Sequence, residues 1–237
     1  MTMMYLPCSH QAVRLREQRQ LQKSIEGFRL VGMIGALHER LVFGRRVRVL
    51  ASHFAALIPA QARILDVGCG DGLIDCLIQQ QRPDISIEGI DPLVRSRTHI
   101  PVRSFDGAKL PYPDASFDAV MFVDVLHHTV DPKALLREAM RVGKIILIKD
   151  HIREGFLASG TLRVMDWVGN AHHGVALPYN YWSRSQWREV TDDLGLKATE
   201  MGVELALYPA PISWIFDRRL HFVARFERAQ TPAAVVQ

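Results

Sequence analysis

A doubly wound α/β fold, with seven strands in a mostly parallel sheet behind an N-terminal helical extension, is predicted by three observations. Short apolar runs alternate with helical stretches from about residue 60 onward, the rhythm of strands wrapped by helices. The first run, Ile64-Leu65-Asp66-Val67, passes directly into Gly68-Cys69-Gly70-Asp71-Gly72 and then into a helical segment. A chain of 237 residues, 48% hydrophobic and 23% charged, has core enough for one such domain plus an extension.

In chain order, residues 1–10 read as loose. From Gln11 to about Ile58, Leu15, Leu21, Ile25, Phe28, Leu37 and Leu41 recur at helical spacing. Gly32, Gly35 and Gly44 divide that stretch into two or three helices, and Pro59 ends it. The extension is therefore 1–59 and the main domain 60–228. Strands are predicted at 63–68, 85–90, 101–105, 117–124 and 144–150. Helices are predicted at 72–81 and 132–142, the latter with Pro132 in its first turn, and a weaker one near 92–97. Residues 152–183, rich in aromatics, glycine and asparagine, break the rhythm and read as a lid-like insertion. A helix capped by Ser183 and stopped by Gly195 follows. Strands at about 196–206 and 220–227 complete the sheet, and 229–237 reads as a disordered tail.

The glycine turn is the chemically informative part. Glycines between a strand and a helix permit positive φ and close approach to a ligand. The helix N-terminus behind them offers N–H groups to an anion. A nicotinamide dinucleotide fold would want G-x-G-x-x-G, but the third position here is Leu73 and the glycine is Gly72. The order D-x-G-x-G-x-G, led by Asp66, resembles motif I of the class I S-adenosylmethionine (SAM)-dependent methyltransferases, which have a Rossmann-like fold. Gly89-Ile90-Asp91-Pro92 puts an acid about 20 residues beyond the turn, where nucleotide folds bind ribose hydroxyls.

The string Phe105-Asp106-Gly107 with Leu110-Pro111-Tyr112-Pro113-Asp114-Ala115-Ser116-Phe117-Asp118, then Asp124-Val125-Leu126-His127-His128 and Asp131-Pro132, is similar to the methyltransferase type 11, quinone-biosynthesis-like family. The likeness covers roughly 60–150. It implies SAM as cofactor, held by Asp66, Gly68, Cys69, Gly70, Gly72, Asp91, Pro92, Asp106, Gly107 and Asp124. In that reading Asp106 and the Gly107 backbone serve the adenine. Asp124, or the nearby backbone carbonyls, holds the methionine ammonium. By residue chemistry alone, Asp106-Gly107 is simply a turn.

Methyl transfer from a sulfonium needs positioning first and a base second. Histidine suits the base near neutral pH. His127, His128, Asp150 and His151 sit where the fourth and fifth strands end. His128 and His151 are the candidate catalytic residues, because the second residues of these loops should face the substrate cleft, with capping or loop-bonding histidines as the plainer alternative. His172 and His173 add a second pair. No short spacing such as H-x-x-x-H appears, so no metal is expected. Phe156, Met165, Trp167, Tyr179, Tyr181 and Trp182 give the insertion an apolar face for a small aromatic or lipid-like acceptor, or else complete the core. Trp187 reads as core.

The remaining composition narrows the partners. A net charge of +4 is too mild to indicate nucleic acid, and Arg45, Arg46 and Arg48 read as a solvated helix face. Asp124-Val125-Leu126-His127 differs from the Asn- or Asp-Pro-Pro-aromatic tetrapeptide of amino-directed DNA methyltransferases, so DNA is not an expected partner. Protein or tRNA acceptors, and a non-catalytic SAM-binding scaffold or sensor, are the rival functions. The three cysteines make no framework, and free thiols suit a cytoplasmic protein. No secretory leader or stretch of about 18 apolar residues is visible. Arg14, Arg16, Arg19 and Lys23 give the first helix a basic side, open to peripheral contact with an anionic membrane though more simply solvated.

Overall fold

The structure, a computed structural model, describes residues 43–170 and 178–229. The predicted helices of residues 1–42, the His172-His173 pair and the tail from residue 230 lie outside the described residues. Of two compact units, Met1–Gly44 and Arg45–Gln237, the second carries every site residue considered below.

Helix α1 (Gly44–Leu57) precedes β1 (Arg63–Val67), α2 (Leu73–Gln81), β2 (Ser86–Asp91), β3 (Val102–Ser104) and β4 (Phe117–Val123). Then come α3 (Pro132–Val142), β5 (Gly143–His151), α4 (Ala158–Asn170), α5 (Arg184–Asp193), β6 (Leu196–Gly202), the short α6 (Ser213–Phe216) and β7 (His221–Arg228). The seven strands form one sheet in the order β3-β2-β1-β4-β5-β7-β6. All pairs are parallel except those of β7, which runs antiparallel to β5 and β6. Strand order reverses at β1 and β4, so their carboxyl ends open a crevice of the kind where doubly wound sheets bind ligands.

Two apolar layers sandwich the sheet. One packs α3 and α5 through Leu135, Leu136, Ala139 and Trp187 against Leu65, Val120, Phe122 and Ile148. The other packs α1 through Leu50, Ala51 and Phe54, together with Ile78, against Ile64, Ile87, Met121 and Leu147. Helix α1, which the sequence reading placed in the extension, thus contributes directly to this core. Helix starts follow the capping signals: Asp131 accepts from Ala134 N with Pro132 in the first turn of α3, and Ser183 with Gln186 forms a capping box on α5.

The structure differs from the sequence reading in four places. Residues 92–97 form bends rather than a helix, because Asp91 Oδ1 accepts from Leu93 N at 2.7 Å and His99 N donates to Asp71 O at 2.7 Å, drawing the segment toward the glycine loop. The 152–183 region contains a regular helix, α4, that buries Ala158 and Leu162 against Tyr181 and Leu220. Strand β6 stops at Gly202, ahead of Ala206 at φ 52°. The short α6 had no sequence signal. Among the described residues, no helix is long and apolar enough to cross a membrane.

Candidate cofactor and acceptor site

The loop after β1 is built by three glycines in the left-handed region: Gly68 at φ 77°, Gly70 at 61° and Gly72 at 74°. Two are packed from behind, since a Cβ would stand 2.7 Å from Val125 Cγ2 at Gly68 and 2.4 Å from Ile100 Cγ1 at Gly72. At Gly70 a Cβ would meet nothing within 4 Å. The loop therefore presents a bare backbone face to open space at its centre, and Gly72 leads α2 without a side-chain cap. That is the geometry an approaching carboxylate requires.

Asp91, at the tip of β2, fixes this loop. Its Oδ2 accepts from Gly70 N at 2.9 Å while Oδ1 accepts from Leu93 N. Pro92 lies against the next tip, 3.6 Å from where a Gly107 Cβ would sit. There Asp106 Oδ1 accepts from Ala108 N and Lys109 N, both at 2.8 Å, and these bonds hold its carboxyl below the ordinary range. Leu93 and Val94 stay exposed beside these turns.

Beneath the loop, Asp66 is 2% exposed and Asp75 of α2 is fully buried. Desolvation first, and the Asp66–Asp75 pairing second, push the Asp66 carboxyl well up; burial lifts Asp75 to about 7. Among the described residues no cation is among the groups that shift either carboxyl, so the pair retains a proton through the acid range. Cys69 is pushed up as well, by burial and by the nearby acids, and packs its sulfur over Gly89. It is an inert thiol.

The tips of β4 and β5 carry a different chemistry. Asp124 turns out of β4 at φ 58°. One of its oxygens accepts from the fully buried Lys149 ammonium and the other from the Arg46 guanidinium on α1. Burial alone would raise its carboxyl, yet Lys149, Arg46 and His127 hold it well below the usual range. Beside it, His127 Nδ1 donates to Asp150 Oδ1 at 2.6 Å, and its Nε2 lies 3.3 Å from Asp166 Oδ2. Burial would lower the His127 pKa, but the two carboxylates lift it to about 10. His151 Nδ1 stands 3.3 Å from Asp150 and 3.6 Å from Asp124. Burial and the Lys149 charge push it well below the ordinary imidazole value. His128, half-buried and 4.0 Å from the His127 ring, is lowered by burial and by that neighbour.

A family profile described as "Methyltransferase domain" matches residues 38–201. The chain is a class I SAM-dependent methyltransferase. It is 27% identical over 197 residues to an uncharacterized methyltransferase of Mycobacterium tuberculosis, covering 78% of this chain and 88% of that one. It is also 32% identical over 108 residues to the 27-O-demethylrifamycin SV methyltransferase of Amycolatopsis mediterranei, a match that spans only 39% of each chain. Among solved structures, the complex between the Haloferax volcanii Trm112 methyltransferase activator and a methyltransferase is similar in fold. Its TM-score is 0.58 at 18% identity, covering 84% of this chain and 95% of the other. SAM is accordingly the methyl donor.

The sequence-read residues of this methyltransferase fall into two groups. Gly68, Cys69, Gly70, Gly72, Asp91, Pro92, Asp106 and Gly107 gather along the tips of β1, β2 and β3, with Asp66 buried beneath. Asp124, His128 and His151 gather at β4 and β5, where both Asp124 oxygens are engaged by cations. Arg46, read as part of a solvated face, instead pairs with Asp124. Sequence reasoning also missed Lys149, Asp166 and the phenol of Tyr181, which donates to Asp166. Lys149 had a signal: a lysine inside Ile145-Ile146-Leu147-Ile148-Lys149-Asp150-His151, a run otherwise built to be buried. Asp166 had none, since it faces the cluster only through the α4 register.

The 178–183 segment closes over these tips. Asn180 N donates to His127 O at 3.1 Å and Asn180 Nδ2 to Thr129 O at 2.8 Å. Tyr181 is buried, Trp182 packs on Trp187, and Trp187 is core. Phe156 and Trp167 are instead exposed, at 84% and 62%. A cavity of about 480 Å³ between α5 and the β6–β7 edge contains none of the expected site residues.

Proposed function

We propose that this methyltransferase methylates a hydroxyl of a small acceptor with an apolar, aromatic or lipid-like body. The carrying observation is the state of His128 and His151: both imidazoles are biased toward the neutral form at the β4 and β5 tips. A neutral imidazole can take the proton that a hydroxyl must lose. The aromatic segment Tyr179-Asn180-Tyr181-Trp182, tied to the His127–Thr129 turn, walls these bases with apolar side chains, the Tyr181 ring lying 5.7 Å from that of His151. The 27-O-demethylrifamycin SV methyltransferase, similar over part of its length, is named for a small molecule that lacks a methyl group on oxygen.

In this reading the Gly68–Gly72 backbone receives the methionine carboxylate of SAM, Asp91 accepts from the ribose hydroxyls, and the Asp106-Gly107 turn borders the adenine. Both Asp124 oxygens are matched by cations, so the backbone carbonyls of the Asp124 turn are the better seat for the ammonium. SAM supplies a methyl group already activated on sulfur. The protein's task is then orientation, worth on the order of 7–11 kcal/mol at best, with His128 or His151 as proton acceptor.

Incubation with methyl-labelled SAM and extract, followed by partition into organic, protein and RNA pools, tests this. Label is expected in the organic pool, in a product whose methyl resists mild base as an ether does. Label in RNA or protein would overturn the acceptor class.

A further inference from the structure

The histidine and carboxylate groups at the β4 tip form a set of donors of which the proposed methyl transfer uses at most His128. One donor atom each from His127, His128 and Asp166 lies within 4.8 Å of the other two. His127 and Asp166 are 2% and 6% exposed, and His128 is half-buried. His127 Nε2 and His128 Nδ1 are buried atoms with no hydrogen-bond partner. Asp166 Oδ2 is 3.3 Å from His127 Nε2, yet off the line a hydrogen bond requires. Two ligands bound tetrahedrally at about 2.0–2.1 Å from one ion stand about 3.3 Å apart. The other nitrogen of His127 is held by Asp150 at 2.6 Å, the carboxylate–histidine arrangement that orients a metal-bound imidazole.

We propose that His127 Nε2, His128 and Asp166 bind a divalent transition-metal ion of the Zn²⁺ type. Asp150 positions His127, and a fourth coordination position is left for water or an acceptor oxygen. Two imidazoles and one carboxylate are a borderline donor set suited to such an ion rather than to Mg²⁺ or Ca²⁺. A second grouping, Asp124, His127, Asp150 and His151, is equally compact. It is disfavoured because Lys149 and Arg46 already neutralise Asp124, and a dication there would face two fixed cations. The site goes beyond the proposed hydroxyl methylation: with the ion bound, His128 is a ligand and the proton-accepting role rests on His151.

The test uses the full chain, stripped with a chelator and titrated with Co²⁺ as a spectroscopic probe, with Zn²⁺ as competitor. One equivalent of Co²⁺ with visible ligand-field bands, displaced by Zn²⁺, is expected. His128→Ala and Asp166→Asn should weaken Co²⁺ binding by roughly 100-fold, Asp150→Asn by about 10–100-fold, and the exposed His99→Ala not at all. His128 is half-buried, so its variant gives a readout where the buried changes impair folding. No stoichiometric binding, or binding indifferent to His128→Ala and Asp166→Asn, overturns the site. Because the readout is the Co²⁺ spectrum, it stands apart from whether label reaches an organic product.

Discussion

Two neighbouring regions of the crevice each bury two aspartates, and they solve the resulting electrostatic problem in opposite ways. Under the glycine loop, Asp66 and Asp75 face each other, paired with no cation among the described residues, and keep a proton, with Asp75 near 7. At the β4 and β5 tips, Asp150 is as deeply buried and Asp124 is largely so, but Lys149, Arg46 and His127 hold the Asp124 carboxyl far down, and His127 with His151 does the same for Asp150. Burial sets the cost of a charge; the partner decides whether a proton or a side chain meets it. The loop side thereby stays uncharged beneath an open backbone face, while the acceptor side is a fixed lattice of matched charges.

The largest expected effect lies on the charged side. Lys149→Met should leave Asp124 with one cation and cost about 3–5 kcal/mol in urea unfolding at pH 7; a loss below about 1 kcal/mol would mean Asp124 is neutralised otherwise. Asp124 and Asp150 have depressed folded values. Their stabilisation is therefore present above the ordinary carboxylate range and disappears as pH falls through those lower values. His127 is raised to about 10, so its contribution is complete below about pH 6.5 and is lost as pH rises through about 10.

On the loop side the first effect is on binding. Asp91→Ala should weaken SAM by about 1–3 kcal/mol by calorimetry, since ribose hydroxyls and Gly70 N lose their acceptor. Unchanged affinity would move the ribose elsewhere. Asp75→Asn inverts the behaviour of Lys149→Met. A carboxyl raised to about 7 destabilises the fold increasingly as pH climbs from about 4 to 7. Removing it should therefore add up to about 4 kcal/mol at pH 8 and almost nothing at pH 4, by thermal unfolding. Equal effects at both pH values would show that no proton is held there. The smallest change is Gly70→Ala: its Cβ meets no atom, so only left-handed strain of about 1 kcal/mol is expected in stability. SAM affinity should fall with it, because the methyl fills the open face.

The same contrast explains what could be read from the sequence. The loop side is local: a strand, a turn and a helix in one stretch, with Asp91 at a fixed offset, so its residues were legible one by one. The sheet was legible as well, because its central strands β1, β2, β4 and β5 carry apolar runs of their own. The charged side assembles from α1, β4, β5, α4 and the 178–183 segment. Arg46 looked like surface because its partner is 78 residues away. His127 looked like the lesser half of a pair because only packing shows Asp150 and Asp166 on either side of it. The stretch 92–97 failed as a helix for a tertiary reason, its backbone being drawn to Asp91 and Asp71.

The most direct test of the loop as the cofactor seat is a calorimetric titration with S-adenosylhomocysteine, the demethylated product, against wild type and Asp91→Ala. One equivalent should bind the wild type with a clear heat and raise its melting temperature, and the variant should bind measurably more weakly. No heat and no protection in the wild type, or equal affinity in both proteins, would contradict the account.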